Sequence, residues 1–339
     1  MAIPTAIFLD TSILAGQQYN FSSTALSSFI PVAKKRSVKL LLPAPIKLEI
    51  LRQIRERSDD ALKALNEAKQ RAPFLAKWKN FPKNNGTNFE NWEVRKIALD
   101  EWTSFTKQFN YIELGYEYVD LKRVMGWYDA VQSPFKDGKK RKEFPDAFAI
   151  DSLEAYATKN GCCVGIVSQD TDFKDACERF PSLLYFKSLP AITELLLSDD
   201  KRLLQVKQSI DSNLQDLIDE LWNLKDEFTY SHAEDKYSDV DGELEDIIID
   251  EYKIVAIGDH ECTITFDATL HFSAELTWEE TEYNGPDDEP GTTDATDSVS
   301  DYTSASGTIK LKFSNDYSKI EEVVFQEFDA YEIEVTEEP

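Results

Sequence analysis

Over the first 198 residues, short apolar blocks alternate with segments of helical periodicity. Ala6-Ile7-Phe8-Leu9 is one such block and stops abruptly at Asp10. Val38 to Pro43 is a second, Cys163 to Val167 a third and Leu183 to Phe186 a fourth. Unbroken apolar runs of this length suit strands that are buried on both faces. Between them, apolar residues recur at helical spacing, as in Ile46, Ile50, Leu51 and Ile54, in Ala147 to Ala157 and again over 190–197. The stretch 58–130 reads as helical and irregular, with four tryptophans scattered through it. Strands alternating with helices predict an α/β fold with a parallel sheet flanked by helices.

From residue 199 the pattern changes. Leu203, Leu204, Ile210, Leu214, Leu217, Ile218, Leu221 and Leu224 predict one long amphipathic helix over 200–226. Segments of period two follow, at 263–266, 270–272, 308–313 and 331–335, as half-exposed antiparallel strands require. The intervening stretch 284–307 is rich in Asp, Gly, Ser, Thr and Pro and is expected to be a mobile loop. The expected organisation is an N-terminal domain over 1–198 and an acidic α+β domain over 199–339.

Charge sharpens that division. The net charge of −26 is unevenly shared: residues 1–198 carry 28 Lys+Arg against 24 Asp+Glu, a balance of +4, whereas 199–339 carry 9 against 39, a balance of −30. The second half therefore repels nucleic acid, and the first half need not. No apolar run approaches the roughly 18 residues of a membrane span. Met1 to Leu9 shows neither a basic start nor a small-residue cleavage site, so a cytoplasmic protein is expected. Four cysteines, two of them adjacent (Cys162, Cys163), and three late histidines offer neither a disulfide framework nor a zinc site. Any metal here would be held by oxygen.

Four acids stand at predicted strand or helix ends. Asp10 closes the first strand, Glu49 lies in the helix after the second, Asp146 opens a helix in Phe144-Pro145-Asp146-Ala147, and Asp170 follows the third strand with Asp172 two residues on. Each alone has a plainer role: a helix cap or turn residue for Asp10, Asp170 and Asp172, a partner of Arg52 or Arg55 for Glu49, and an answer to the helix dipole for Asp146. In open α/β sheets, however, functional groups gather beyond the carboxyl ends of the strands. Several carboxylates meeting there repel one another unless a cation joins them, and all-oxygen ligation suits Mg²⁺ or Mn²⁺.

In their order and surroundings these segments resemble a PIN domain, the metal-dependent nuclease fold. The pieces are the strand ending in Asp10-Thr11-Ser12, the helical Glu49, Asp146 at the head of an Ala-rich helix, and Ile166-Val167-Ser168-Gln169-Asp170-Thr171-Asp172-Phe173, where Ser168 takes a position usually held by Thr. The resemblance covers about 1–198. It implies Asp10, Glu49, Asp146 and Asp170 as metal-coordinating catalytic residues, Asp172 as an auxiliary ligand, and Thr11 and Ser168 at positions that orient ligands or water. It also implies an endoribonuclease, RNA rather than DNA as substrate, and a toxin-like or phage-defence setting. The segment 58–143 exceeds a minimal PIN core, and the resemblance does not extend to 199–339.

Lys139-Lys140-Arg141-Lys142 precedes Asp146 directly and suits a phosphate backbone beside the acids. Trp127, Tyr128 and Phe135 read as core rather than as base-stacking residues. Two alternatives accompany the ribonuclease reading: a DNA or structure-specific nuclease using the same site, and a non-catalytic nucleic-acid or protein-binding module. The acidic domain is expected to solubilise, to cover a basic rim, or to mediate homo-oligomers or partner binding through a strand edge.

Overall fold

The computed structural model describes residues 2–79, 91–136, 143–232, 237–282 and 291–335. The chain divides into two compact units, Met1–Leu196 and Leu197–Pro339.

The first unit begins with β1 (Ala6–Leu9), whose four residues are all buried. Helices α1 (Thr11–Gly16) and α2 (Thr24–Lys35) lead to β2 (Lys39–Pro43). The long α3 (Ala44–Arg71) follows, with Ile46, Ile50, Ile54, Ser58 and Leu62 forming its buried stripe at four-residue spacing. After a short 3-10 helix at Pro73–Lys77 come α4 (Asn91–Thr106), β3 (Ile112–Leu114) and α5 (Leu121–Asp129). Then α6 (Phe144–Asn160) precedes β4 (Val164–Val167), and α7 (Thr171–Arg179), β5 (Leu183–Phe186) and α8 (Leu189–Leu197) follow in turn. Pro145 in the first turn of α6 and left-handed Gly161 just past its end mark the two places where those residues cost a helix least.

All five strands run parallel in the order β3-β2-β1-β4-β5. The chain leaves β1 toward β2 on one side and later returns to β4 on the other. The strand order therefore reverses between β1 and β4, and a crevice opens beyond their carboxyl ends. Cys162 and Cys163 lie just before β4 and are half-buried free thiols rather than buried strand residues. Three-residue β3 escaped the sequence pattern because it is too short to show a period.

The second unit opens with α9 (Leu203–Ser212) and α10 (Leu214–Trp222) in place of one continuous helix. The break is at Asn213, with φ −122° and ψ 26°, whose side-chain amide donates to the Ser209 carbonyl at 2.7 Å. A short polar side chain that competes for helix carbonyls ends the helix there, although the apolar spacing runs on. After β6 (Thr229–His232), the strands β7 (Asp239–Ile257), β8 (Glu261–Glu282), β9 (Gly291–Phe313) and β10 (Ile320–Phe328) form an antiparallel sheet in the order β10-β9-β8-β7. Alternate residues of β8, from Cys262 to Leu276, are buried, so one face of this sheet is apolar and the other polar.

The expected loop at 284–307 is strand over its described part. β9 pairs with β8 from Gly291 opposite Glu282 to Lys312 opposite Glu261. Its Thr, Ser and Asp residues are solvated on the ribbon, and pairing comes from the backbone, which composition does not register. Residues 283–290 lie outside the described residues. The segment β11 (Glu332–Val335) pairs in parallel with β6 as a separate two-stranded sheet. Period two identifies a strand without fixing its direction.

Candidate active site

Asp10 stands at the mouth of the crevice. Its backbone N–H bonds the Val167 carbonyl at 3.0 Å, continuing the β1–β4 pairing one residue past β1. Its carboxylate caps α1, accepting from Thr11 N at 2.7 Å and Ser12 N at 3.4 Å. The Ser12 hydroxyl donates to Oδ2 at 2.5 Å and the Ser168 hydroxyl donates to the same oxygen at 2.8 Å. Asp10 is thus a helix cap, as its local sequence suggests, and is also buried at the sheet's carboxyl edge.

Asp170 arrives from β4. It caps α7 through Asp172 N at 2.7 Å, and its own N–H donates to Ser168 Oγ at 2.9 Å. Glu49 comes from the second turn of α3, directly after β2. Arg52 approaches Glu56 instead, and Glu49 accepts from Gln53 Nε2 at 2.8 Å. Asp146 lies in the first turn of α6, whose N-terminus stands at the same edge because α6 runs back to start β4. Asp10, Glu49, Asp146 and Asp170 together line a pocket of about 260 Å³, with Thr11, Ser12, Gln53 and Phe173 completing much of its wall.

The field in this pocket is visible in Asp146. Burial, a hydrogen bond with Glu143 and the charges of Asp10, Glu143 and Asp170 push its carboxyl up to about 8. Burial and the neighbouring carboxylates thus favour its protonated form. Tyr19, behind Glu49, is likewise pushed up to about 12 by burial, with Arg57 opposing and Glu49 and Asp10 adding to the shift.

Not every expected residue reaches the pocket. Asp172 is buried on the other side of α7, where its carboxylate accepts from the Ser133 hydroxyl at 3.4 Å. Ser168 is fully buried behind Asp10 and does not line the pocket, so its hydroxyl orients acids rather than touching a ligand. Lys139, Lys140, Arg141 and Lys142 lie outside the described residues. Trp127 and Phe135 are buried, and Tyr128 stacks on Phe144. Gln53 and Ser12 are pocket residues that the motif reading passed over. Only the four-residue spacing of Gln53 from Glu49 marks the former in sequence.

Residues 7–173 match a family model described as PIN domain, a span that includes all four pocket acids. The N-terminal unit is a PIN domain. No family model matches the C-terminal region, and neither the curated proteins nor the solved structures contain a match to the chain. PIN domains are usually metal-dependent nucleases, so this unit has a nuclease-type fold. Its pocket suits a divalent cation in two respects: the carboxylates that line it offer only oxygen, and the charges of Asp10 and Asp170 add to burial in raising the Asp146 carboxyl. The fit is that of an open donor set. Among the described residues, no three His, Cys, Asp or Glu side chains are drawn together into a ready-made metal cage. No helix among the described residues is long and apolar enough to cross a membrane.

Proposed function

We propose that the PIN domain is an endonuclease that hydrolyses RNA phosphodiester bonds with Mg²⁺ or Mn²⁺. The observation that supports this reading is the meeting of Asp10, Glu49, Asp146 and Asp170, from four separate elements, at one pocket on the switch point of the sheet. In this reading the four carboxylates hold the cation, and Asp172 serves the fold of α7 instead. A bound divalent cation would activate water and neutralise charge developing on the phosphodiester. The protein's own part is to hold the donors. Ser12 and Ser168 fix the Asp10 carboxylate, α7 fixes Asp170, and Asp146, whose carboxyl is raised by burial and its neighbours, would bind a cation in its ionised form. Lys139 to Lys142, just ahead of Asp146 in sequence, would attract a phosphate backbone without reading bases. Preference for RNA, and a toxin-like or phage-defence setting, rest on the family resemblance. A role for the −30 unit in oligomer or partner binding rests on its charge and exposed strands.

One observation favours a second reading, a non-catalytic binding module on the same fold: the acids form no ready-made cage. Incubation of the protein with labelled single-stranded RNA, tRNA and single-stranded DNA, in Mn²⁺, Mg²⁺ or EDTA, decides between them. Cleavage of RNA that needs the metal and disappears in Asp146→Asn is the expected result. Cleavage of DNA alone would keep the site and change the substrate. No cleavage, together with no Mn²⁺ binding by calorimetry, would leave the binding module.

A further inference from the structure

Behind Glu49 lies a second row of side chains to which the proposed chemistry assigns no task. Gln53, one turn further along α3, itself lines the pocket. Its Nε2 donates to Glu49 Oε1 at 2.8 Å, and its Oε1 accepts from the Tyr19 hydroxyl at 2.7 Å. The two bonds depend on each other. Reversing the Gln53 amide would turn its carbonyl oxygen onto the Glu49 carboxylate, placing two acceptors together with no proton between them. By donating to Oε1, Tyr19 holds the amide nitrogen toward Glu49.

Tyr19 is itself well anchored. Its backbone is left-handed at φ 57°, and it is buried with its ring edge-on to Phe21 at 6.2 Å. Phe21 packs on Trp102 and Phe105 of α4 at 5.5 and 5.1 Å. On the other side, the Arg57 guanidinium lies 5.1 Å from the Tyr19 ring centroid. Glu49, Gln53 and Arg57 are spaced by four residues on α3 and so share one face. An otherwise flexible glutamate thus takes its orientation from an aromatic core through two hydrogen bonds.

We propose that Gln53 is a positioning residue for cation binding by Glu49, and that Tyr19 acts through Gln53. The proposal rests on the reading of the pocket as a divalent-cation site. Removing the groups that orient a ligating carboxylate typically costs 10- to 100-fold in metal affinity, because the carboxylate must then be ordered by the metal itself.

Mn²⁺ calorimetry on the full-length chain tests it, with Gln53→Met, Tyr19→Phe, the double variant and Asp10→Asn as reference. Gln53→Met is expected to weaken Mn²⁺ binding about 10- to 100-fold, with the urea midpoint close to wild type. Tyr19→Phe, which leaves Gln53 in place, should weaken it by a smaller factor. The double variant should bind no more weakly than Gln53→Met alone, since the two residues act in series. Wild-type affinity in Gln53→Met, where Asp10→Asn binds no Mn²⁺, would overturn the proposal and leave the cation site standing. Independent losses that multiply in the double variant would also overturn the serial arrangement. Undiminished binding in Asp10→Asn would instead remove the cation site, and the proposal with it.

Discussion

The Ser168 hydroxyl, at the end of β4, donates to Asp10 Oδ2 at the end of β1, a 2.8 Å bond across 158 residues of sequence. Ser168 Oγ in turn accepts from the Asp170 N–H at 2.9 Å. One buried hydroxyl therefore ties the two strand ends that flank the switch point and sets the relation between two pocket acids. In Ser168→Ala the Asp170 N–H loses this acceptor and Asp10 loses a donor. The expected cost is about 1–3 kcal/mol in urea unfolding of the first unit, with roughly tenfold weaker Mn²⁺ binding by calorimetry. Ser168→Thr keeps the hydroxyl and should lose less of both.

The four acids were legible because each interrupts an apolar pattern at a place the fold defines. Asp10 ends β1, Asp170 follows β4, Asp146 heads an Ala-rich helix, and Glu49 sits just after β2. Asp172 turns away from the pocket for a geometrical reason. Asp170 is the extended cap of α7 (φ −78°, ψ 132°), whereas Asp172 lies in the first helical turn, buried beside Ser133. Gln53 and Tyr19 owe their roles to which way an amide and a phenol point, and no spacing rule encodes that. In the second unit, helical periodicity ran through Asn213 because the break comes from its side-chain amide and leaves the apolar stripe unchanged. Polar β9 read as loop because both of its faces over 292–304 are largely solvated.

An ion pair between half-buried Arg123 and buried Asp151 of α6 offers a control that should leave the pocket untouched. Asp151 is fully buried, accepting from Asp120 N at 2.6 Å and from Arg123 Nε at 2.5 Å, and Arg123 also reaches Glu154 at 2.8 Å. Arg123→Met leaves the Asp151 carboxylate buried without its cation. The expected loss is about 3–5 kcal/mol by urea unfolding. Replacing both partners, as Arg123→Met with Asp151→Leu, should cost less than Arg123→Met alone, because no buried charge is then stranded. Mn²⁺ affinity of whatever remains folded should match wild type.

Gly242 in β7 carries a prediction for the second unit. A Cβ built there would lie 2.2 Å from the Tyr230 ring, so glycine is what lets β6 lay its tyrosine against β7. Tyr230 also packs on Phe272 at 5.8 Å between ring centroids. Gly242→Ala should therefore destabilise the second unit by about 1–3 kcal/mol, as overpacking does. Thermal unfolding followed by far-UV circular dichroism measures it. Tyr230→Leu in the same chain should recover part of the loss. A Gly242→Ala protein as stable as wild type would mean that the close approach is not held in solution.

Asp146 links pH to both stability and cation binding, with opposite signs. Its carboxyl titrates at about 8 in the folded chain because of burial, the hydrogen bond with Glu143 and the charges of Asp10, Glu143 and Asp170. In an unfolded chain an aspartate titrates near ~3.9. Between these values the native state binds the extra proton. Without a divalent cation, the stabilisation that this proton provides is fully present below about pH 4 and is lost as pH rises toward 8. A cation must displace the proton, so Mn²⁺ affinity should rise up to about tenfold per pH unit below 8 and level off above it. Calorimetry at pH 6, 7, 8 and 9 reads the slope, and repeating it in buffers of different ionisation enthalpy counts the proton released. Asp146→Asn should remove that proton release, and should raise the melting temperature of the metal-free protein at pH 9 by deleting one of the mutually repelling charges. Affinity that stays flat from pH 6 to 8 would show that Asp146 carries no proton to surrender, and the crowding of charge in the pocket would then be weaker than its geometry implies.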